Sequence, residues 1–353
     1  MARGTPIALL RDSGLAPPVP HRISLQVTNR CDSRCQHCSI WQIYRDDPSK
    51  RQEELSADDW LTVIRKAVAA GTKSVDLTGG EPFLFPGYDT LVREVLESLG
   101  FACITTNAIR SERYLSRITT ICQRVSRPSV LVVSVSIDGL GPHHDEIRGV
   151  PGGFDRAVAL LRGLATLEPA RVRVVPQVSF TITDLNVGDL VPLCNWLLDE
   201  SLISEPDNFT FRAVQSGPYY KQTNSLTRID DVETAILHLR EAFRFSRTDA
   251  FILGIVPSLR DPKVLQFPCY SMFASCWIDP YGNVAPCVTM QDQVIGNLRD
   301  NSLDLSKIWL SAEAEAMRRS VRAGRCTVCW TDCESLESLE FEGGRRATGT
   351  SDA

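Results

Sequence analysis

From about residue 23 to residue 246 the chain alternates short, apolar, β-rich runs with amphipathic helical runs. That alternation restricts the fold to a parallel sheet with helices outside it. The expected strands are Ile23–Val27, Ser74–Thr78, Phe101–Thr105, Val130–Ile137, Arg171–Thr181 and Asn208–Val214. Their near-continuous apolar character suits a parallel sheet covered on its outer face. Ser56–Gly71 is the clearest helix: Ser56 can cap it, Asp58 and Asp59 suit the positive first turn, and Gly71 ends it. Trp60, Val63, Ile64, Ala67 and Val68 form its apolar face. Six strand–helix units in a row make either an open doubly wound sheet or a partial barrel.

Past residue 250 the pattern changes. Runs at Trp277–Asp279 and Asn283–Pro286 flank the turn signal Pro280-Tyr281-Gly282, which predicts a hairpin. A helix is expected from about Leu303 to Val321, followed by a cysteine-rich end and a Gly/Arg/Thr/Ser-rich tail from Glu342 to Ala353, expected to be disordered. The expected divisions are therefore 1–22 as an extension, 23–250 as the core, 251–341 as a small cysteine-rich domain and 342–353 as the tail.

Twelve cysteines are the compositional anomaly. Ile7–Leu10 is too short an apolar core for a secretory signal, and no stretch approaches the roughly 20 apolar residues of a membrane span. A cytoplasmic location follows as an expectation, and there cysteine clusters read as metal ligands or catalytic thiols rather than disulfides. With 38 basic against 43 acidic residues, nucleic acid is a poor partner. The five histidines show no ligand spacing, and no P-loop or Ser–His–Asp order appears.

Cys31, Cys35 and Cys38 lie on the loop after the first strand, at the edge where parallel α/β sheets hold their ligands. Three thiolates within eight residues can hold three corners of a cubane, leaving one iron open to a substrate or cofactor. A zinc knuckle or buried free thiols are the alternatives that spacing alone leaves open. Cys103, Cys122 and Cys194 lie in apolar patterns and read as core residues.

The CxxxCxxC run after the first strand resembles the defining motif of the radical SAM superfamily. Gly79-Gly80-Glu81-Pro82 after the second strand resembles that family's GGEP motif. By this resemblance it would hold the amino group of S-adenosylmethionine. Thr106-Asn107, the run Ser134 to Gly139 and the run His144 to Gly149 resemble the family's ribose- and carboxylate-contacting segments, with Asn107, Ser136 and Arg148 as candidates. The resemblance covers residues 23 to 215 and implies a partial (β/α)6 TIM-like barrel.

Cys269, Cys276, Cys287, Cys326, Cys329 and Cys333 are similar in arrangement to SPASM or twitch extensions, which wrap auxiliary clusters. The run departs from the full SPASM pattern, because it lacks the longer spacing after the CxxC pair and has no cysteine beyond Cys333. One auxiliary [4Fe–4S] cluster on Cys269, Cys287, Cys326 and Cys329 is expected, with Cys276 and Cys333 as alternates or a free thiol, and a second cluster left open. A structural zinc ribbon is the competing reading.

The family resemblance implies an oxidoreductase in which a [4Fe–4S] cluster on Cys31, Cys35 and Cys38 reductively cleaves S-adenosylmethionine. The resulting 5′-deoxyadenosyl radical would take hydrogen from the substrate, and flavodoxin or ferredoxin would supply the electron. The first substrate expectation is a small biosynthetic intermediate such as a sugar, aminocyclitol or nucleoside, oxidised or epimerised. It rests on two features: no peptide-recognition segment precedes Cys31, and His37 stands before Cys38. The alternative is a maturase acting on a ribosomal precursor peptide.

Overall fold

The computed structural model describes residues 7–167, 171–221, 223–261, 268–325 and 329–347. In chain order, α1 (Ile7–Ser13) precedes β1 (Arg22–Gln26), α2 (Ile40–Asp46) and α3 (Ala57–Ala70). Next come β2 (Ser74–Thr78), α4 (Tyr88–Leu99), β3 (Phe101–Thr106) and α5 (Ser111–Arg124). They are followed by β4 (Ser129–Ser136), α6 (Pro142–Arg148), α7 (Gly153–Ala165), β5 (Val172–Ile182), α8 (Leu190–Asp199) and β6 (Phe209–Ala213). The C-terminal part holds α9 (Ile229–Ala242), α10 (Asp249–Arg260), β7 (Ser275–Ile278), β8 (Asn283–Ala285) and β9 (Gly296–Asn297). It ends with α11 (Leu305–Trp309), α12 (Ala312–Arg322) and α13 (Asp332–Ala347).

β1 to β6 pair in parallel in sequence order, as the alternation requires. Residues alternate across each strand, and the outer set is apolar: Ile23 and Leu25, Val75 and Leu77, Ala102 and Ile104, Leu131 and Val133, Phe209 and Phe211 join one core with the helices. α3 carries the expected ends. Ser56 and Asp59 form a reciprocal capping box, and Gly71 at φ 123° closes the helix.

The inner face is polar. Ser24, Asp76 and Cys103 lie in register across β1, β2 and β3. Cys103, expected as a core thiol, therefore faces the barrel interior, and burial pushes it up to about 12. Cys194 is fully buried, as expected, and Cys122 is half-buried.

β1 and β6 do not pair, so the barrel has a seam. In a flat sheet five strand spacings would hold them roughly 24 Å apart. Here consecutive residues at the start of α13 reach both: Arg212 on β6 pairs with Asp332, and Arg22 on β1 donates to the Cys333 carbonyl. Arg22 also meets Glu337 at 3.6 Å, Glu334 at 3.8 Å and Asp76 at 3.3 Å. The sheet curls, and the first turn of α13 spans the seam.

The hairpin forms as β7 and β8, with Asp279 accepting the backbone N–H of Tyr281 and Asn283 and Gly282 at φ 87°. It does not stand apart from the barrel. β7 pairs in parallel with β1, so one nine-stranded sheet runs β6-β5-β4-β3-β2-β1-β7-β8-β9. The single helix expected over Leu303 to Val321 is two, because Ser311 accepts from the Ala314 N–H and starts α12 afresh. The tail expected to be disordered from Glu342 instead continues α13 as far as Ala347, and residues 348–353 lie outside the described residues. No described helix is long and apolar enough to cross a membrane.

Candidate functional site

The loop after β1 is clasped from four sides. On the first, the β2 turn docks by backbone bonds from Gly80 N–H to Thr28 O at 2.8 Å and from Glu81 N–H to Arg30 O at 2.7 Å. A Cβ at Gly80 would lie 2.5 Å from Arg30 O, so only glycine allows this approach. Gly79 is packed likewise, 2.9 Å from Thr28 O, and Pro82 starts a short buried turn behind it.

On the second side, Asn107 at the end of β3 donates to Asp32 Oδ1 and Ser33 Oγ, both at 2.9 Å, and its amide nitrogen stands 4.0 Å from Cys31 Sγ. Glu81 fixes that residue in turn. Its carboxylate accepts from Asn107 N–H at 2.6 Å, Thr106 Oγ1 at 2.9 Å and Phe83 N–H at 3.1 Å. Complete burial still pushes Glu81 up to about 8, against the pull of those three donors.

On the third side, backbone bonds from Arg34 and Gln36 reach the end of α6, and the Arg148 guanidinium stands 3.8 Å from Cys35 Sγ and 2.6 Å from Asp138 Oδ2. Asp138 is fully buried. Burial raises it, but Arg148 and His37 outweigh that and hold it below the usual carboxylate range. Ser136 is buried two residues before it, in register with Ser179. On the fourth side the segment after β6 lies over the loop: Tyr219 O accepts from Cys38 Sγ at 3.7 Å and Ser39 N–H at 3.0 Å.

The three thiols thus lie together on one clasped loop, Cys35 buried and Cys31 and Cys38 half-buried. Burial first, and then Cys35 beside it, pushes Cys31 well up, and the same two causes push Cys38 up to about 12. Burial likewise raises Cys35, with Arg148 opposing it. Burial disfavours the thiolate form of all three, and a bound positive centre would offset it. Among the described residues no three such side chains surround one point closely enough for a single ion. The nearby N–H groups of Asn107 and Arg148 suit the sulfurs of a cluster that these thiols would hold.

A second group of thiols forms where the hairpin, the segment before it and the start of α13 meet. Cys269, Cys287 and Cys329 act on one another electrostatically, with burial the larger cause of their upward shifts in Cys269 and Cys287. Thr289 Oγ1 lies 3.0 Å from Cys287 Sγ and 3.7 Å from Cys329 Sγ. Cys326 lies outside the described residues. Cys276 is elsewhere: after burial, the groups that act on it are Glu334, Glu337 and Arg22. Cys333 faces the barrel interior among Asp332, Arg212 and Arg22. Tyr220, half-buried nearby, feels both Cys333 and Cys38.

Several residues that build these sites carry no sequence signal of their own. Glu54 accepts from Thr28 Oγ1 at 2.5 Å, Asn29 N–H at 3.1 Å and Tyr44 OH at 2.7 Å, and pairs with Arg30 at 3.1 Å. Asn29 Nδ2 in turn donates to Tyr281 OH at 3.1 Å, linking the first loop to the hairpin turn. Only the acidic and aromatic identities of Glu54, Tyr44 and Tyr281 could have hinted at this.

Comparison with known proteins agrees with this geometry. The model of the Radical SAM superfamily matches residues 25–168, and that of the SPASM iron-sulfur cluster-binding domain matches residues 269–334. The sporulation killing factor maturation protein SkfB of Bacillus subtilis is 28% identical over 81% of this chain, which spans 64% of that relative, less than two thirds of its length. An AdoMet-dependent heme synthase of Oleidesulfovibrio alaskensis is 26% identical over 94% of this chain and 84% of its own. The crystal structure of Streptococcus suis SuiB shares the fold, with a TM-score of 0.63 at 17% identity over 94% of this chain and 77% of that one. The chain belongs to the radical SAM superfamily and carries a C-terminal iron–sulfur cluster-binding SPASM domain.

Proposed function

We propose that this protein reductively cleaves S-adenosylmethionine and acts on a peptide substrate by hydrogen abstraction. The observation that carries the reaction class is the loop bearing Cys31, Cys35 and Cys38, held against the Gly79-Gly80-Glu81 turn by backbone bonds from Gly80 and Glu81. Cys31, Cys35 and Cys38 would hold a [4Fe–4S] cluster, which would supply the electron for reductive cleavage of S-adenosylmethionine.

This chain's residues then do the rest. Asn107 and Arg148 hold N–H groups near Cys31 and Cys35, stabilising thiolate charge. Glu81 is occupied by three protein donors, so its first task is to hold the β3 end. Glu81 is fully buried, so the backbone carbonyls of half-buried Gly79 and Gly80 would be the acceptors for a ligand ammonium. Ser136 at the end of β4 and Arg148 at the end of α6 are the candidates to meet the ribose and the carboxylate. The segment carrying Tyr219 and Tyr220 covers Cys38 and excludes water from the radical.

The similarity over most of this chain to SkfB, a maturation protein for a killing factor, supports the peptide-maturase reading. A second reading, a small biosynthetic molecule, is supported by the heme synthase similarity over nearly the whole chain. One auxiliary [4Fe–4S] cluster on Cys269, Cys287, Cys329 and Cys326, an electron donor of the flavodoxin or ferredoxin class, and a cytoplasmic setting complete the reading.

The test is anaerobic turnover with dithionite, following 5′-deoxyadenosine. Wild-type protein should form it, and addition of the cognate peptide should give a peptide product lacking two hydrogens. Absence of 5′-deoxyadenosine from fully loaded protein would sink the reaction class. Turnover unaffected by peptide but stimulated by a small molecule would transfer the proposal to the second reading.

A further inference from the structure

Thr289 lies on the short turn Val288–Met290, two residues past Cys287. Its hydroxyl oxygen is within reach of two of the three described auxiliary thiols, at 3.0 Å from Cys287 Sγ and 3.7 Å from Cys329 Sγ. These sulfurs come from different segments, 42 residues apart in number order from 287 to 329, so the hydroxyl bridges the hairpin and the arm leading into α13. A threonine hydroxyl has one proton to give, whereas an iron-bound thiolate has none. Once the thiols are ligands, the direction of the bond is therefore fixed: Thr289 donates.

A donor on a cluster sulfur stabilises negative charge there, and the reduced cluster carries one charge more than the oxidised one. The hydroxyl must therefore favour reduction. Glu334 also acts on Cys269 and Cys287, and is held by Ser275 Oγ at 2.8 Å and Arg22 at 3.8 Å.

We propose that Thr289 is a positioning residue that raises the reduction potential of the auxiliary cluster, fitting it to accept an electron from the substrate radical. The step balances as one electron leaving the substrate radical and one entering the cluster, with the accompanying proton released from substrate to solvent. This rests on the reading of Cys269, Cys287 and Cys329 as auxiliary ligands.

The experiment is a potentiometric titration followed by electron paramagnetic resonance. It uses full-length, reconstituted protein carrying Cys31, Cys35 and Cys38→Ala, so that only the auxiliary signal is read. Thr289→Val should shift the one-electron equilibrium about tenfold towards the oxidised form, ~59 mV lower, and Thr289→Ser should restore it. An unchanged midpoint in Thr289→Val at full iron content would overturn the proposal and leave the auxiliary cluster standing. Should Thr289→Val fail to load iron, Thr289→Ala is titrated in its place. Loss of iron in both, with Thr289→Ser loading normally, would overturn the proposal, since the hydroxyl would then serve assembly rather than potential. Loss in Thr289→Ser as well would overturn it. No auxiliary iron in the parent protein would instead remove the underlying ligand assignment.

Discussion

The two thiol sites are built in opposite ways. Cys31, Cys35 and Cys38 come from one eight-residue run, and the fold's work is to clasp that run from four sides. Cys269, Cys287 and Cys329 come from segments spread over 61 positions, and only the tertiary structure brings them together. A contiguous ligand run keeps most of its geometry in the local chain, whereas a dispersed set depends on every element that aligns it. The first site should thus be sensitive to its immediate clasp and the second to distant anchors.

The largest expected effect is a crossover. Cys35→Ala should abolish cleavage of S-adenosylmethionine while auxiliary iron remains, and Cys287→Ala should lose auxiliary iron while uncoupled cleavage persists. Iron analysis beside a 5′-deoxyadenosine assay checks both. If either substitution emptied both sites, the two would be one cooperative unit and the comparison would collapse.

Next is the seam. Arg22 is largely buried against Asp76, Glu334 and Glu337, so Arg22→Met leaves carboxylates without their cation and should cost about 3 kcal/mol in urea denaturation. Because Glu334 also lies beside the auxiliary thiols, this variant should lose auxiliary iron before iron at Cys31, Cys35 and Cys38. Equal loss at both sites would contradict a selective dependence on the α13 anchor.

An anchor away from both thiol groups serves as a control. Asp207, just before β6, accepts from Ser246 and Thr248 side chains and from the backbone N–H of residues 246 to 248. Burial raises it, but those donors outweigh burial and hold it down to about 2. Its folded value lies below its unfolded one, so its stabilisation of about 2 kcal/mol is present above about pH 4 and lost as pH falls towards 2. Thermal unfolding of Asp207→Asn should lack that acid-limb slope, with both iron populations unchanged at neutral pH.

The smallest effect is expected at the bridge between the two regions. Tyr281→Phe removes the acceptor of the Asn29 amide, at about 1 kcal/mol. It should broaden the signal of the first site without changing iron content. A wild-type signal would show that the hairpin does not steady the loop.

Much of the barrel was legible because an outer face packed on helices must be apolar. β2 falls where its pattern placed it, and β1 and β5 shift by one residue. Ser56 and Gly71 were readable because capping is local chemistry. The inner face was less legible. Cys103 reads as one more apolar strand residue until its register beside Asp76 is known, and Arg22 and Arg212 look like ordinary surface charges in sequence. The break at Ser311 was missed because the apolar spacing continues through it, although Ser followed by Glu313 is a helix start. The hairpin was visible from Pro280-Tyr281-Gly282, but its pairing with β1 depends on an edge 250 residues earlier in the chain, about which local pattern says nothing. Glu81 was read as a ligand group, and its three protein donors appear only when β3 is placed beside it.

The most direct test of two separate iron–sulfur sites is an iron and sulfide count on anaerobically reconstituted protein, beside the Cys31, Cys35 and Cys38→Ala triple variant. About eight irons per wild-type chain, falling to about four in the variant, is the expected result. About four irons in the wild type and none in the variant would contradict the auxiliary cluster, and zinc in place of iron in both would contradict the radical chemistry itself.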